Sequence, residues 1–306
     1  MKSKKYLLFV LSVLIIVLVA VVSIVYQEEI YVFYRDNILK ESSNIKLNTN
    51  EYYKDVDYKF VQIADDFIAD DRQDILNIIY TYLNSGSDYL KFFCSREYLE
   101  CVDDITVIAN DEILLSSINN FVHPYNSFKK IFISYTKFGD IELEKESSYT
   151  NDDIVKINNK VDTVIKEKLD EGMTIKDKIR TIHDYIINNA GYGTEDIVKK
   201  YPDISYNKAT GVLFRGYGHC GSYSDAMSIF LFKLGIDNFK VSTDNHVWNL
   251  VKYNNSWWHL DVTWDDPVTD GDDRLEIYFF LIDNDRLKEL DAEEHNFDIN
   301  VFPEGI

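Results

Sequence analysis

The longest apolar stretch in the chain runs from Tyr6 to Tyr26 and is broken only by Ser12 and Ser23. As a helix it is about 31 Å long, close to the hydrocarbon thickness of a bilayer. Lys2, Lys4 and Lys5 precede it. A cleavable signal has a shorter apolar stretch, about 7–15 residues, and then a small-residue cleavage site, of which Val21-Val22-Ser23 is a poor version. The pattern therefore predicts an uncleaved single-pass anchor over residues 1–26, with secretion after cleavage as the alternative. Lysines on the short side place that end in the cytoplasm and everything beyond residue 27 outside the membrane.

After the anchor, residues 27–50 read as a polar stalk ending in the Asn- and Ser-rich ESSNIKLNTN. Residues 51–146 form a mixed α+β domain of unassigned role. Ile75, Ile78, Ile79 and Leu83 make a helical stripe that stops at Asn84-Ser85-Gly86, and Tyr89 to Phe93, Lys130 to Tyr135 and Ile141 to Leu143 alternate as strands. A second domain occupies 150–306. Ile154, Ile157, Val161, Val164, Ile165 and Leu169 repeat at three and four, and a second stripe of Ile175, Ile179, Ile182 and Ile186 begins at Thr174. A third helix spans about Cys220 to Leu234 and ends at Gly235, which suits a left-handed cap. The period then changes to two. His246 to Tyr253 and Trp257 to Thr263 predict a hairpin around Asn254-Asn255, followed by a strand from Leu275 to Leu281. Helices first and strands later define an α+β domain.

Composition narrows the partners. The formal net charge is −20 and the basic residues form no patch or stripe, which disfavours a nucleic-acid partner and anionic headgroups alike. With only 12 Gly and 4 Pro among 306 residues, long disordered tracts are not expected. Of three cysteines, Cys94 and Cys101 lie close enough to form a disulfide or to remain two buried thiols, and Cys220 is left over.

Cys220 stands at a helix start in GHCGSYSDAMSIFLF, where free backbone N–H groups and the helix dipole favour thiolate over thiol. Gly218 and Gly221 flank it and are expected to let a substrate backbone approach. If Asn254-Asn255 form a two-residue turn, Tyr253 faces Ser256 and the register places His246 and Asp261 as diagonal neighbours on one face. A one-residue slip would separate them. Cysteine, histidine and carboxylate in that order satisfy the needs of a nucleophile, its base and the group that orients the base. His123, His183, His259 and His295 are expected to be structural, and Trp248, Trp257, Trp258 and Trp264 to be core. The acidic run DDPVTDGDD is expected to be a solvated turn rather than a calcium loop.

Cys220, then HVWN, then WWHLDVTWDDP resembles the transglutaminase-like superfamily, a branch of the papain-like cysteine enzymes. The similarity covers about residues 150–297, including IHDYI, Tyr192 and a closing YFFLIDND…H stretch. It implies a papain-like core in which the nucleophile helix packs on an antiparallel sheet. It also implies Cys220 as nucleophile, His246 as base and then acid, and Asp261 as orienter. The oxyanion site implied is the Cys220 N–H with Tyr192, or with Tyr217 in reserve. His219, directly before the nucleophile, departs from the small or apolar residue of many relatives. The expected activity is acyl transfer or hydrolysis on protein or peptide amides outside a bacterial membrane, with no cofactor or metal. The alternative is a non-catalytic module that binds wall or surface proteins. The anchor assignment has a direct check. A protease added to intact cells should remove epitopes beyond residue 50 and leave the first five residues protected, and protection of the carboxyl-terminal domain would reverse the orientation.

Overall fold

The computed structural model describes residues 2–40, 45–266 and 277–305. The apolar amino-terminal run is the helix α1 (Lys2–Val25), whose segment Tyr6–Val25 is long and apolar enough for a membrane span or a signal sequence. None of its apolar window is buried against the rest of the described structure, so its exposed apolar surface has no internal reason to stay in water. Helix α2 (Gln27–Phe33) and a π-helical turn, Tyr34–Leu39, follow. This stretch of the expected stalk lies against the body. Arg35 is buried with its guanidinium 4.5 Å over the Phe93 ring, and Tyr31 stacks on Phe138.

The first α+β unit contains β1 (Ile68–Ala69), α3 (Arg72–Ser85), β2 (Tyr89–Cys94), α4 (Cys101–Ala109), α5 (Glu112–Phe121), β3 (Phe128–Tyr135) and β4 (Asp140–Ser147). Its sheet has the order β1-β2-β4-β3, with β1 parallel to β2 and the other pairs antiparallel. Helix α3 begins on Asp71, whose carboxylate accepts the Asp74 N–H, and ends on Gly86 with φ 78°. Cys94 and Cys101 form a disulfide joining the end of β2 to the first residue of α4.

The second unit begins with α6 (Asn151–Lys168) and α7 (Ile175–Asn189). Each starts with a reciprocal cap, Thr150 with Asp153 and Thr174 with Asp177. The glycine-bearing segment then folds into β5 (Gly191–Tyr192), α8 (Glu195–Lys200), a π-helical turn Gly211–Arg215 and β6 (Tyr217–Gly218), with β5 parallel to β6. Helix α9 (Cys220–Lys233) leads to the antiparallel sheet of β7 (Asn238–Ser242), β8 (Val247–Tyr253), β9 (Ser256–Leu260) and β10 (Phe280–Ile282), in the order β10-β9-β8-β7. Helix α10 (Asn284–Leu290) follows. The strand expected over Leu275 to Leu281 is instead Phe280–Ile282: residues 277–279 form a loop and turn, while residues 275 and 276 and most of the DDPVTDGDD run lie outside the described residues. The mixed α+β architecture expected from the sequence is present, although β7, α4, α5 and α10 carry periodicity too short to stand out beforehand.

The second sheet is buried on both faces. Phe239, Val241, Trp248 and Leu250 alternate onto one side and join a core with Tyr58, Ile75, Ile79, Phe121 and Phe302. Val251 and Leu260 point to the other side and join the core of α6, α7 and α9. Several buried polar groups on the α9 side have partners on that helix. Lys240 Nζ donates to Asp225 Oδ1 at 2.7 Å, and the Tyr149 hydroxyl donates to Asp225 Oδ2 at 2.7 Å. Asn249 Nδ2 donates to the Ser224 carbonyl and to Ser228 Oγ. These bonds set the height of α9 on the sheet, because each buried polar group left unmatched would cost about 1–3 kcal/mol.

The disulfide closes a small loop, so its contribution is mainly to the unfolded chain, about 2–3 kcal/mol. Replacing both Cys94 and Cys101 with Ser should lower unfolding stability by about that much in a denaturant titration. An unchanged midpoint would mean that the bridge restrains nothing.

Candidate active site

The site assembles at the end of the second sheet toward which α9 presents its first residue. The hairpin turns through Asn254 and Asn255, with φ 52° and 61°, the left-handed pair a tight hairpin requires. Tyr253 pairs with Ser256 and the ladder runs back to Asn249 opposite Leu260, the register expected from the two-residue turn. His246 lies one residue before β8 and Asp261 one residue after β9, on the face shared by Trp248 and His259. The structure brings them together. His246 Nε2–H donates to Asp261 Oδ2 at 2.5 Å. The remaining ring nitrogen, Nδ1, does not engage Asp261, and Cys220 lies near enough to the imidazole to help raise its pKa. Cys220 is half-buried and is a free thiol, while His246 and Asp261 are buried.

The electrostatics follow from that burial. Desolvation alone would push the His246 imidazole down, but the charge of Asp261, its hydrogen bond and the Cys220 thiol outweigh it and raise it from 6.5 to about 10. Desolvation alone would push Asp261 up, yet His246 and His295 hold it well below the usual carboxylate range. The other oxygen, Oδ1, accepts the N–H groups of Thr263 and Trp264 at 2.9 and 3.2 Å. Sign matters for stability. The raised imidazole contributes fully below 6.5 and loses its contribution as pH rises through about 10. The depressed carboxyl contributes fully above 3.8 and loses its contribution as pH falls.

Tyr192, the expected oxyanion donor, is on β5 with its hydroxyl in the field of Cys220. Desolvation first, then the charges of Cys220, Glu294 and Asp261, raise its pKa, so the hydroxyl stays a donor at neutral pH. Tyr217, the reserve, stacks on Tyr201 instead, 5.8 Å between centroids and 19° between planes. His219 is explained by packing. Its Nε2–H donates to the Gly193 carbonyl at 2.8 Å, and the ring stacks on Tyr206 and lies 5.4 Å from the Tyr192 ring. It therefore ties the start of α9 to the loop that carries Tyr192. The glycines flanking Cys220 are required by the packing of the chain itself. A Cβ on Gly218 would meet the side chains of Ser222 and Val212 within 2.7 Å, and one on Gly221 would meet the Asn207 backbone.

Two other histidines are structural as expected. His259 accepts from Trp248 Nε1 at 3.0 Å and meets Asn284 Oδ1 at 2.6 Å, and burial lowers it to about 4. His183 lies between Asp184 and Asp265, at 2.8 and 3.0 Å. His295 departs from expectation. Its Nε2–H donates to Asp261 Oδ2 at 3.0 Å, the same oxygen that His246 uses, and its Nδ1 meets Asp291 Oδ2 at 2.8 Å. Only the His closing the YFFLIDND…H stretch hinted at it, since no strand register links residue 295 to residue 261. His246, Asp261 and His295 hold three ligand-type atoms within 4.8 Å. Both imidazole nitrogens that face the carboxylate are engaged as N–H donors, which leaves them no lone pair for a cation.

Thiol, imidazole and buried carboxylate thus follow one another along the chain, with the imidazole bonded to the carboxylate. Residues 162–262 match the family model described as the transglutaminase-like superfamily, and the chain carries a domain of that superfamily. No curated protein matches the chain. Among solved structures, a TGase crystal structure aligns at 13% identity and TM-score 0.33, covering 48% of this chain and 47% of that one. A candidate cysteine protease from Cytophaga hutchinsonii aligns at 14% identity and TM-score 0.28, covering 44% of this chain and 61% of that one. The chain therefore spans only about half to three-fifths of either neighbour's length.

Titration of the imidazoles by NMR tests the coupling. His246 should change protonation near pH 10, and Asp261→Asn should return it toward the ordinary histidine value. An unsubstituted His246 titrating near 6.5 would show that the carboxylate does not act on it.

Proposed function

We propose that this chain is a cysteine-dependent acyltransferase or amidase that acts on protein or peptide amides outside the membrane, through a thioester on Cys220. The observation that carries the reading is a free thiol at the first turn of a buried helix, partnered by an imidazole whose far nitrogen is held by an anionic, buried Asp261. Membership in the transglutaminase-like superfamily supports it. The disulfide is in keeping with an oxidising compartment, and the apolar amino-terminal helix with an anchor or a signal.

The steps use the groups in place. At neutral pH His246 already holds the proton that Cys220 gives up, and the imidazolium lies against Asp261. The thiolate sulfur attacks the amide carbonyl carbon, a C–S bond forms, and the carbonyl oxygen takes the negative charge. As first residue of α9, Cys220 can offer that oxygen its own N–H, and Tyr192 its hydroxyl. His246 then protonates the leaving amine as the C–N bond breaks, which leaves a thioester. Water, or a second amine, attacks that carbon while His246 takes its proton, and Cys220 departs as thiolate. Water as acceptor makes the enzyme an amidase or peptidase, and an amine makes it a cross-linker. No step requires a cofactor. The unit formed by residues 51–146 is a buttress for the sheet in this reading and contributes no reacting group.

Substitution separates chemistry from folding. Cys220→Ala should abolish peptide-amide hydrolysis and amine-probe incorporation while shifting thermal stability little, since a half-buried thiol at a helix start removes few contacts. Asp261→Asn should also lower the rate severely. Cys94→Ser should leave chemistry nearly intact while it lowers stability. Equal losses from both cysteines, or none from Cys220→Ala, would favour a non-catalytic module that binds wall or surface proteins.

A further inference from the structure

A single carboxylate oxygen, Asp261 Oδ2, receives two imidazoles. His246 approaches at 2.5 Å and His295 at 3.0 Å. The second imidazole is not a surface group that drifts in. His295 is buried, its ring stacks on Phe279 at 5.1 Å and 17°, and Trp248 and Trp264 meet it edge-on at 4.8 and 4.9 Å. It also meets the His246 ring edge-on at 5.1 Å. Behind it, Asp291 Oδ2 accepts from Nδ1 and from the backbone N–H groups of Glu294 and His295, so the turn after α10 is built around this ring. Both ring nitrogens face carboxylate oxygens, so both bonds form together only when each nitrogen carries a hydrogen.

We infer that His295 is a positioning residue for the proposed reaction: by donating to the oxygen that His246 also uses, it fixes the plane of the Asp261 carboxylate and withholds part of its charge from His246. The inference rests on the acyl-transfer reading of Cys220 and His246. Its chemical point is that His246 must both take and release a proton in each turnover, and an imidazole bound to an unshared buried carboxylate releases it poorly. Sharing the acceptor weakens that hold without removing the orientation. The arrangement is directional, since Asp291 anchors His295 from the side away from Asp261. Among the described residues, the other titratable groups near the pair and the carboxylate they share include Cys220 on α9, Tyr192 on β5, Glu294 beside His295, His259 on β9 and Asp265 after β9.

The test is the protonation midpoint of His246, read by NMR, together with the pH profile of Cys220 alkylation by iodoacetamide. Both are measured in the full chain and in His295→Phe and His295→Gln. Phe keeps the ring contacts and deletes both donors, whereas Gln keeps one neutral donor. In His295→Phe the His246 midpoint should rise by about one pH unit, and the alkaline step of the alkylation profile should rise with it. His295→Gln should recover at least half of that shift. If His295→Phe fails to fold, a rise in His295→Gln beyond about 0.3 unit still supports the inference. Midpoints unchanged in both variants, with only a lowered melting temperature, would make His295 a packing residue and overturn it. A fall in the midpoint would overturn it as well. Those results leave fast alkylation of the unsubstituted Cys220 untouched, so the acyl-transfer reading would survive them. Alkylation of the unsubstituted Cys220 no faster than that of an ordinary thiol would sink that reading, and the inference with it.

Discussion

A carboxylate sealed from water organises this site. Asp261 is 1% exposed, and an anion so buried is tolerable only when its lone pairs are met by donors. Four donors reach it: His246 and His295 on one oxygen, and the backbone N–H groups of Thr263 and Trp264 on the other. Each comes from a different constraint. The hairpin register brings His246, the turn after β9 supplies the two amides, and the loop after α10 swings His295 in. Three chain segments separated by up to 49 residues are thereby held at one point. The thiol of Cys220 then faces an imidazole that cannot rotate away.

That rigidity draws on layers further out. The sheet of β7 to β10 has apolar residues on both faces, so it is clamped between α9 and the unit built from residues 51–146. Trp248 stacks under His246 at 5.6 Å and bonds to His259, while Phe239 contacts Tyr58 and Phe121. A continuous aromatic core therefore connects the imidazole to the amino-terminal unit. Lys54 adds a polar tie across the same boundary, with its ammonium on the carbonyls of Phe121 and Asn238. Burial, and then the repulsion of Lys240, lowers it to about 7, so this tie holds a proton weakly at neutral pH. The amino-terminal unit is better understood as part of the scaffold than as an appended module.

Much of the site was legible in the chain because strand geometry is periodic. Once Asn254-Asn255 is taken as a two-residue turn, the pairing of Tyr253 with Ser256 leaves His246 and Asp261 no choice but the same face. Cys220 at a helix start and Gly235 at its end needed only capping rules. Short elements such as β7 and α10 were hidden because three to seven residues carry too little periodicity to separate from a loop. The stalk reading of 27–50 rested on polarity, and polarity does not reveal that Arg35 inserts beneath Phe93.

The sequence by itself determined the apolar amino-terminal helix, the α+β order of elements and the Cys–His–Asp order, since each follows from local pattern or from a register fixed by one turn. Tertiary structure decided what lies behind that row. Neither His295 against Asp261, nor Asp291 behind His295, nor His219 bridging to Gly193 follows from any local period. Those contacts depend on where a loop crosses the end of a sheet, and that path is set by the packing of Phe279, Trp248 and Trp264 around a single buried ring.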